Sequence, residues 1–326
     1  MSPAAVTSRR TFLTLLGAAG LAAGCGAPTA TAPAAPATRT VTHRFGTFEV
    51  PTDPQRVVGI EGRRDLETAL ALGLRPVGIG SNALYGGDTP APWLDLPLDG
   101  VTVIQQTEPG LEQIAALRPD LVLTRDSNIE ELRDELVALA PVLPVGSGTD
   151  PDNTGDDWRA DLEQVAGWLG REDRLAATLA AYDAQRDEIA ARHADPITSA
   201  VVAVVQYSAE GGTLETSRTD GFYLQAQALG ALGGRHLPYL EELPRTDYIA
   251  SFSTEQMGEL APADAILMIA NTADDRAALD AQPLWQRLPA VAAGRVVLTD
   301  SRANYGSVYA AGEGLRLLDE LYATLA

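Results

Sequence analysis

The sequence predicts an α/β protein of two β-α lobes, each on a mostly parallel central sheet, joined by a rigid long α-helix with a ligand cleft between the lobes. Three observations predict it. From residue 56, short apolar runs alternate with stretches whose apolar residues recur at spacing three and four. A break rich in Gly, Asp, Thr and Pro at 146–157 interrupts that alternation. Two helical stretches follow the break, and β-α alternation restarts at residue 200.

The N-terminus stands apart from this body. Residues 1–25 form a signal peptide. Arg9 and Arg10 make a twin-arginine-like pair before an apolar run at 12–23. That run is too short for a membrane span, which needs about 20 residues. Residues 21–25, LAAGC, resemble a lipoprotein cleavage box, in which a small residue precedes a cysteine that becomes diacylated. Cys25 is the single cysteine of the chain. It is the candidate lipidation site and leaves no disulfide for the mature fold. Residues 26–43 begin with an Ala, Thr and Pro-rich stretch and read as a flexible tether.

The N-terminal lobe spans 44–155. Strands are expected at 56–60, 76–80, 101–104, 120–124 and 142–145, with helices at 65–72, 111–117 and 129–139. Gly73 sits where a helix C-cap wants it. The helical connection spans 156–196. Its second helix, about 171–193, would be roughly 35 Å long, the width of a lobe. The C-terminal lobe spans 197–326, with strands at 200–206, 265–269 and 295–298 and helices at 222–232, 253–260, 283–288 and 309–325. Ligands of parallel α/β sheets sit beyond the carboxyl ends of the strands, so two such lobes make a cleft between their loop rims.

Composition excludes some functions. The formal net charge is -20, and all 24 basic residues are Arg. No basic stripe is available for nucleic acid, and no lysine for a Walker-type phosphate loop. The three histidines, His43, His193 and His236, do not make a metal-ligand pattern. Gly-x-Ser-x-Gly is absent, so nothing points to a hydrolase nucleophile, although a secreted lipoprotein enzyme stays open as the reading from another class.

Several segments together resemble a known family. They are 48–58 (FEVPTDPQRVV), 70–78 (LALGLRPVG), 108–123 (EPGLEQIAALRPDLVL), 253–256 (STEQ), 283–285 (PLW) and 288–296 (LPAVAAGRV). In order, they resemble landmarks of the periplasmic-binding-protein family that serves ABC importers of ferric siderophores, haem and vitamin B12. The resemblance covers nearly all of 45–326. It implies a binding protein rather than an enzyme, a shallow cleft and small hinge motion. It also implies a ferric-siderophore ligand, a membrane-anchored extracytoplasmic monomer, and an ABC permease dimer as partner. No cofactor is expected, iron arriving only inside the bound siderophore. By motif position, Glu112 and Glu255 are the residues that dock on arginine pockets of the permease. Each falls in the first turn of a short helix, where a carboxylate can meet Arg in bidentate fashion.

Ferric siderophores are oxygen-rich, and guanidinium groups, hydroxyls and aromatic faces suit them. Candidate ligand-binding residues that follow strand ends are Arg63, Arg64, Tyr85 and Trp93 in the first lobe. In the second they are Tyr207, Arg218, Tyr223, Tyr248, Arg302 and Tyr305. Asn82, Arg125 and Asp126 occupy the same kind of position. Gln206 stands where many relatives carry Arg. Together with the acidic body, it favours a neutral or cationic hydroxamate chelate over a catecholate one. Haem or cobalamin binding within the same family is the alternative.

Overall fold

The computed structural model describes residues 37–81, 90–94, 96–105, 109–146, 157–243 and 249–325. Cys25, Tyr85 and Tyr248, with the signal peptide and the first part of the tether, lie outside the described residues. The tether is shorter than expected, because Thr38–His43 is a strand (β1) paired antiparallel with β2 (Gly46–Pro51). Of the residues facing inward, Val41 and Val50 are buried, and they fasten this hairpin to the body.

The first lobe then reads β3 (Val57–Gly59), α1 (Arg64–Ala71), β4 (Pro76–Ser81), β5 (Thr102–Gln105), α2 (Leu111–Ala116), β6 (Leu121–Thr124), α3 (Asp126–Leu139) and β7 (Val142–Pro144). Its sheet has the order β5-β4-β3-β6-β7, with every pairing parallel. Successive residues of a strand point to opposite faces. Accordingly Val57, Leu121 and Leu123 enter one apolar cluster, while Val58, Val122 and Val142 enter another beneath α2 and α3. Gly62 and Gly80 let the loop after β3 and the end of β4 pack backbone to backbone. A Cβ on Gly62 would strike the Gly80 carbonyl, and one on Gly80 the Ile60 carbonyl.

The connection is α4 (Trp158–Leu169), α5 (Glu172–Arg192) and α6 (Ala194–Ser199). Asp157 caps α4 by accepting from the Arg159 and Ala160 amides, and Gly170 ends it in the left-handed region. The 21 residues of α5 span about 32 Å.

The second lobe follows as β8 (Val202–Ser208), β9 (Thr213–Ser217), α7 (Leu224–Ala231), β10 (Ile249–Ser253), β11 (Ala265–Ala270), α8 (Ala273–Asp280), α9 (Pro283–Gln286), α10 (Pro289–Ala292), β12 (Val296–Thr299) and α11 (Val308–Ala323). Its sheet order is β10-β9-β8-β11-β12. The β8-β11 and β11-β12 pairings are parallel, whereas the β8-β9 and β9-β10 pairings are antiparallel. Strands β9 and β10 are a correction to the sequence reading. Thr213–Ser217 has one large apolar residue, Leu214, so hydrophobic periodicity does not reveal it. The expected helix at 253–260 is a 3-10 helix, Thr254–Leu260, with a Ser253/Gln256 capping box.

The lobes share one apolar cluster that runs from Val57 and Leu121 through Trp158, Leu162 and Tyr182 to Val204, Leu267 and Leu318. Polar contacts pin the same junction. On α5, Thr178 donates to the Ala71 carbonyl at the end of α1, and Gln185 donates to the Gly312 carbonyl on α11. Arg64 is fully buried; it pairs with Asp161 at 2.7 Å and donates through Nε to the Gly306 carbonyl at 2.9 Å. Glu67 Oε2 accepts from the Ser307 and Ala310 amides at 2.6 and 3.0 Å. A carboxylate of the first lobe thus caps α11 of the second, whose own Ser307 side chain makes no cap bond.

Glu67→Ala should therefore lower the unfolding free energy by about 2–3 kcal/mol, because buried amides lose a charged acceptor. Urea denaturation measures this; an unchanged midpoint would dismiss the inter-lobe cap.

Candidate functional site

A pocket of about 340 Å³ lies where the carboxyl ends of β8, β11 and β12 face the loop after β3. Arg63 reaches it from the first lobe. The second lobe supplies Gln206, Glu215, Phe222, Tyr223, Ile249, Asn271, Ser301, Asn304 and Tyr305. The floor is a chain of neutral hydrogen bonds. Asn304 donates to Gln206 Oε1 at 2.7 Å and accepts from Gln225 at 2.8 Å, while Asn271 Oδ1 accepts from the Ser301 amide at 2.8 Å. Tyr223 Oη donates to Glu215 Oε2 at 2.8 Å.

Tyr305 is the centre of the aromatic side. Its ring stacks on Phe222 with centroids 5.6 Å apart. The guanidinium carbons of Arg63, Arg64 and Arg125 lie 4.9, 4.3 and 4.9 Å from its centroid. Arg63 also donates through Nη2 to the Tyr305 carbonyl at 2.9 Å. Behind these guanidinium groups sits Glu61, 1% exposed, 3.5 Å from Arg125 Nε. Burial lifts its pKa to about 7; Asp65 adds to the rise, and Arg125, Arg64 and Arg63 oppose it. Asp65 accepts from the amides of Glu61, Gly62, Arg63 and Leu66, which fixes the turn that aims Arg63 at the slot. Burial raises the Asp65 pKa to about 6 against those four hydrogen bonds.

Of the expected ligand-binding residues, Arg63, Tyr223 and Tyr305 come together at this pocket. Others are placed differently. Arg64 is a buried junction residue, drawn inward by Asp161 and Gly306. Tyr207 is 2% exposed and packs in the cluster beneath the second sheet, because its strand position points it away from the slot. Trp93 lines a separate groove of about 570 Å³ with Leu70 of α1, Tyr182 of α5 and Tyr309 of α11. Arg218 is bidentate with Asp220, at 2.7 and 3.0 Å, and donates to the Leu240 and Leu243 carbonyls. Arg302 is bidentate with Asp300 at 2.9 and 2.6 Å. Glu112 and Glu255 are exposed in the first turns of α2 and of the 3-10 helix, one on each lobe.

Sequence reasoning missed Glu215, Asn271, Ser301 and Asn304. Asn271, Ser301 and Asn304 follow strand ends, so the positional rule that found Tyr305 would have found them if applied to amides and hydroxyls. Glu215 sits on the unexpected strand β9 and left no signal. Among the described residues, no group of three or more His, Cys, Asp or Glu is placed to hold a metal ion. No described helix is long and apolar enough to cross a membrane.

A slot between two bridged lobes, lined by hydrogen-bonding and aromatic groups, defines a solute-binding protein. The chain belongs to the periplasmic binding protein family, whose profile matches residues 63–303. It is 30% identical to the probable siderophore-binding lipoprotein YfiY of Bacillus subtilis over 52% of this chain, which is half the length of that relative. It is 25% identical to the putative ABC transporter substrate-binding lipoprotein YhfQ of the same organism, over 86% of each chain. The crystal structure of the Vibrio cholerae siderophore binding protein FhuD bound to Fe3+-Desferal matches with a TM-score of 0.67 and 25% identity. That match covers 83% of this chain and 98% of FhuD. The chain is a binding protein and not an enzyme, which sets aside the hydrolase reading.

The Glu61 carboxyl, raised from 4.5 to about 7, binds its proton more tightly in the folded than in the unfolded chain. Its contribution to stability is therefore full at low pH and is lost as pH climbs through that window, by up to about 3 kcal/mol. Asp65 acts in the same direction. Denaturation at pH 5 and pH 8 should show the wild type weakening and Glu61→Gln weakening clearly less; parallel behaviour would contradict this.

Proposed function

We propose that the chain captures a ferric siderophore of the hydroxamate type in the inter-lobe slot and delivers it to an ABC permease dimer. The observation that carries this reading is the lining of the slot. Its hydrogen-bonding groups are mostly neutral amides and hydroxyls beside aromatic faces. The neighbouring arginines are engaged with carboxylates of the chain itself: Arg64 with Asp161, Arg125 with Glu61, Arg218 with Asp220 and Arg302 with Asp300. A ferric trihydroxamate centre carries no net charge and offers carbonyl and oximate oxygens to such donors. A catecholate or citrate complex is strongly anionic and needs guanidinium groups turned toward it. The iron is held by the chelator, and the protein recognises the chelate.

Membrane delivery rests on two further features. The resemblance at Cys25 supports a lipid anchor on the extracytoplasmic face. The placement of Glu112 and Glu255, exposed on opposite lobes, supports docking on two equivalent sites of a permease dimer. A first-turn glutamate also complements its helix dipole, so their role is decided by transport and not by stability.

Tryptophan-fluorescence titration with ferric hydroxamate, catecholate and citrate complexes, haem and cobalamin should give saturable binding with the hydroxamate at the lowest concentration. Tightest binding of any other member would replace this ligand assignment. In cells, Glu112→Arg with Glu255→Arg should abolish uptake while leaving soluble ligand binding intact, and Cys25→Ala should release the protein from the membrane fraction. Loss of soluble binding in the glutamate pair would remove them from the permease interface.

A further inference from the structure

We propose that Glu215 selects cargo by its charge, so that the slot prefers a ferric chelate carrying a protonated amine over its neutral counterpart. This deepens the hydroxamate reading and rests on it. Among the described residues, Glu215 is the carboxylate that lines the slot. It lies on β9, between Gln206 of β8 and Ser251 of β10, and is half-buried.

Its electrostatic surroundings differ from those of the other acids nearby. Asp161, Asp220 and Asp300 each hold a guanidinium within 2.7 Å. Arg63, Arg64 and Arg125 all lower the pKa of Glu61, and Arg63 that of Glu67. Glu215 has instead a neutral partner, the Tyr223 hydroxyl at 2.8 Å on Oε2. Its strand neighbours Gln206 and Ser251 are neutral too. Among the described residues no ion pair compensates it. A single Tyr O–H orients the carboxylate without neutralising it, and a partly desolvated negative charge attracts an ammonium group more strongly than one in bulk water.

The geometry also gives the cation a defined station. Tyr223 forms one wall and follows directly on Phe222, which stacks on Tyr305. A chelate seated against these rings places a flexible pendant arm within reach of β9. A small ammonium group there would bond to Glu215 and retain contact with the Gln206 and Asn304 amides of the floor. The opposite sign, a pendant carboxylate placed against β9, would be repelled by Glu215.

The test compares ferrioxamine B, whose terminal amine is protonated, with N-acetyl-ferrioxamine B, which has the same iron centre and no such charge. The wild type should prefer the charged chelate by about fivefold, the size expected for one partly exposed ion pair. The preference should shrink in 1 M salt. Glu215→Gln keeps an acceptor for Tyr223 and should bring the ratio close to one, whereas Glu215→Asp should retain part of it. The same ratio in wild type and Glu215→Gln would overturn the role of Glu215 and leave the siderophore reading standing. Should Glu215→Gln fail to fold, a salt-insensitive ratio in the wild type would overturn it equally. Binding of neither chelate to the wild type would overturn the hydroxamate reading, and this inference with it.

Discussion

Arg64 and Glu67, one turn apart on α1, hold the N-terminus of α11 against the first lobe, and the slot depends on that contact. Glu67 accepts from two amides of the α11 start, and Arg64 donates to the Gly306 carbonyl just before it. Tyr305 precedes this anchored segment directly, so its ring is delivered among Arg63, Arg64 and Arg125. A buried ion pair such as Arg64–Asp161 adds little net stability over an apolar substitute, but removing one partner is costly. Its physical effect here is to admit one arrangement of the lobes: any sliding of α11 along α1 would strand charges away from water.

The stiffness of α5 works with this lock. The helix touches α1 through Thr178 and α11 through Gln185. Its C-terminal turn continues to Asp319 on α11, where Arg192 and His193 both bond. With apolar packing continuous from one sheet to the other, small adjustments at the rims are favoured over large hinge rotations. The shared core also keeps the spacing between the exposed Glu112 and Glu255 on the two lobes.

Charge placement near the slot separates structure from recognition. An acidic chain with arginine as its sole strong cation has to place each guanidinium with care. Around the slot most of them answer a carboxylate within the protein, so the rim gains rigidity and little net positive potential. The lining of the slot is then made mostly of amides, hydroxyls and aromatic faces, with Glu215 and Arg63 beside them. This explains why counting arginines after strand ends is a poor guide to which of them face the slot.

The lobes, the connecting helix and the parallel first sheet were legible because they rest on local patterns: apolar periodicity and helix signals. Arg63, Tyr223 and Tyr305 were legible because strand ends point at the slot in any such fold. By contrast, β9 carries too little apolar character to be seen, and Glu215 rides on it. Arg64 and Tyr207 occupy strand-end positions as good as those of Arg63 and Tyr223, and only packing turns them inward. The sequence by itself determined the class of fold, because each element's hydrophobic face is written in its own spacing. The tertiary structure decided which polar side chains face the slot, because Arg64 and Arg125 are turned by carboxylates tens of residues away, Asp161 and Glu61.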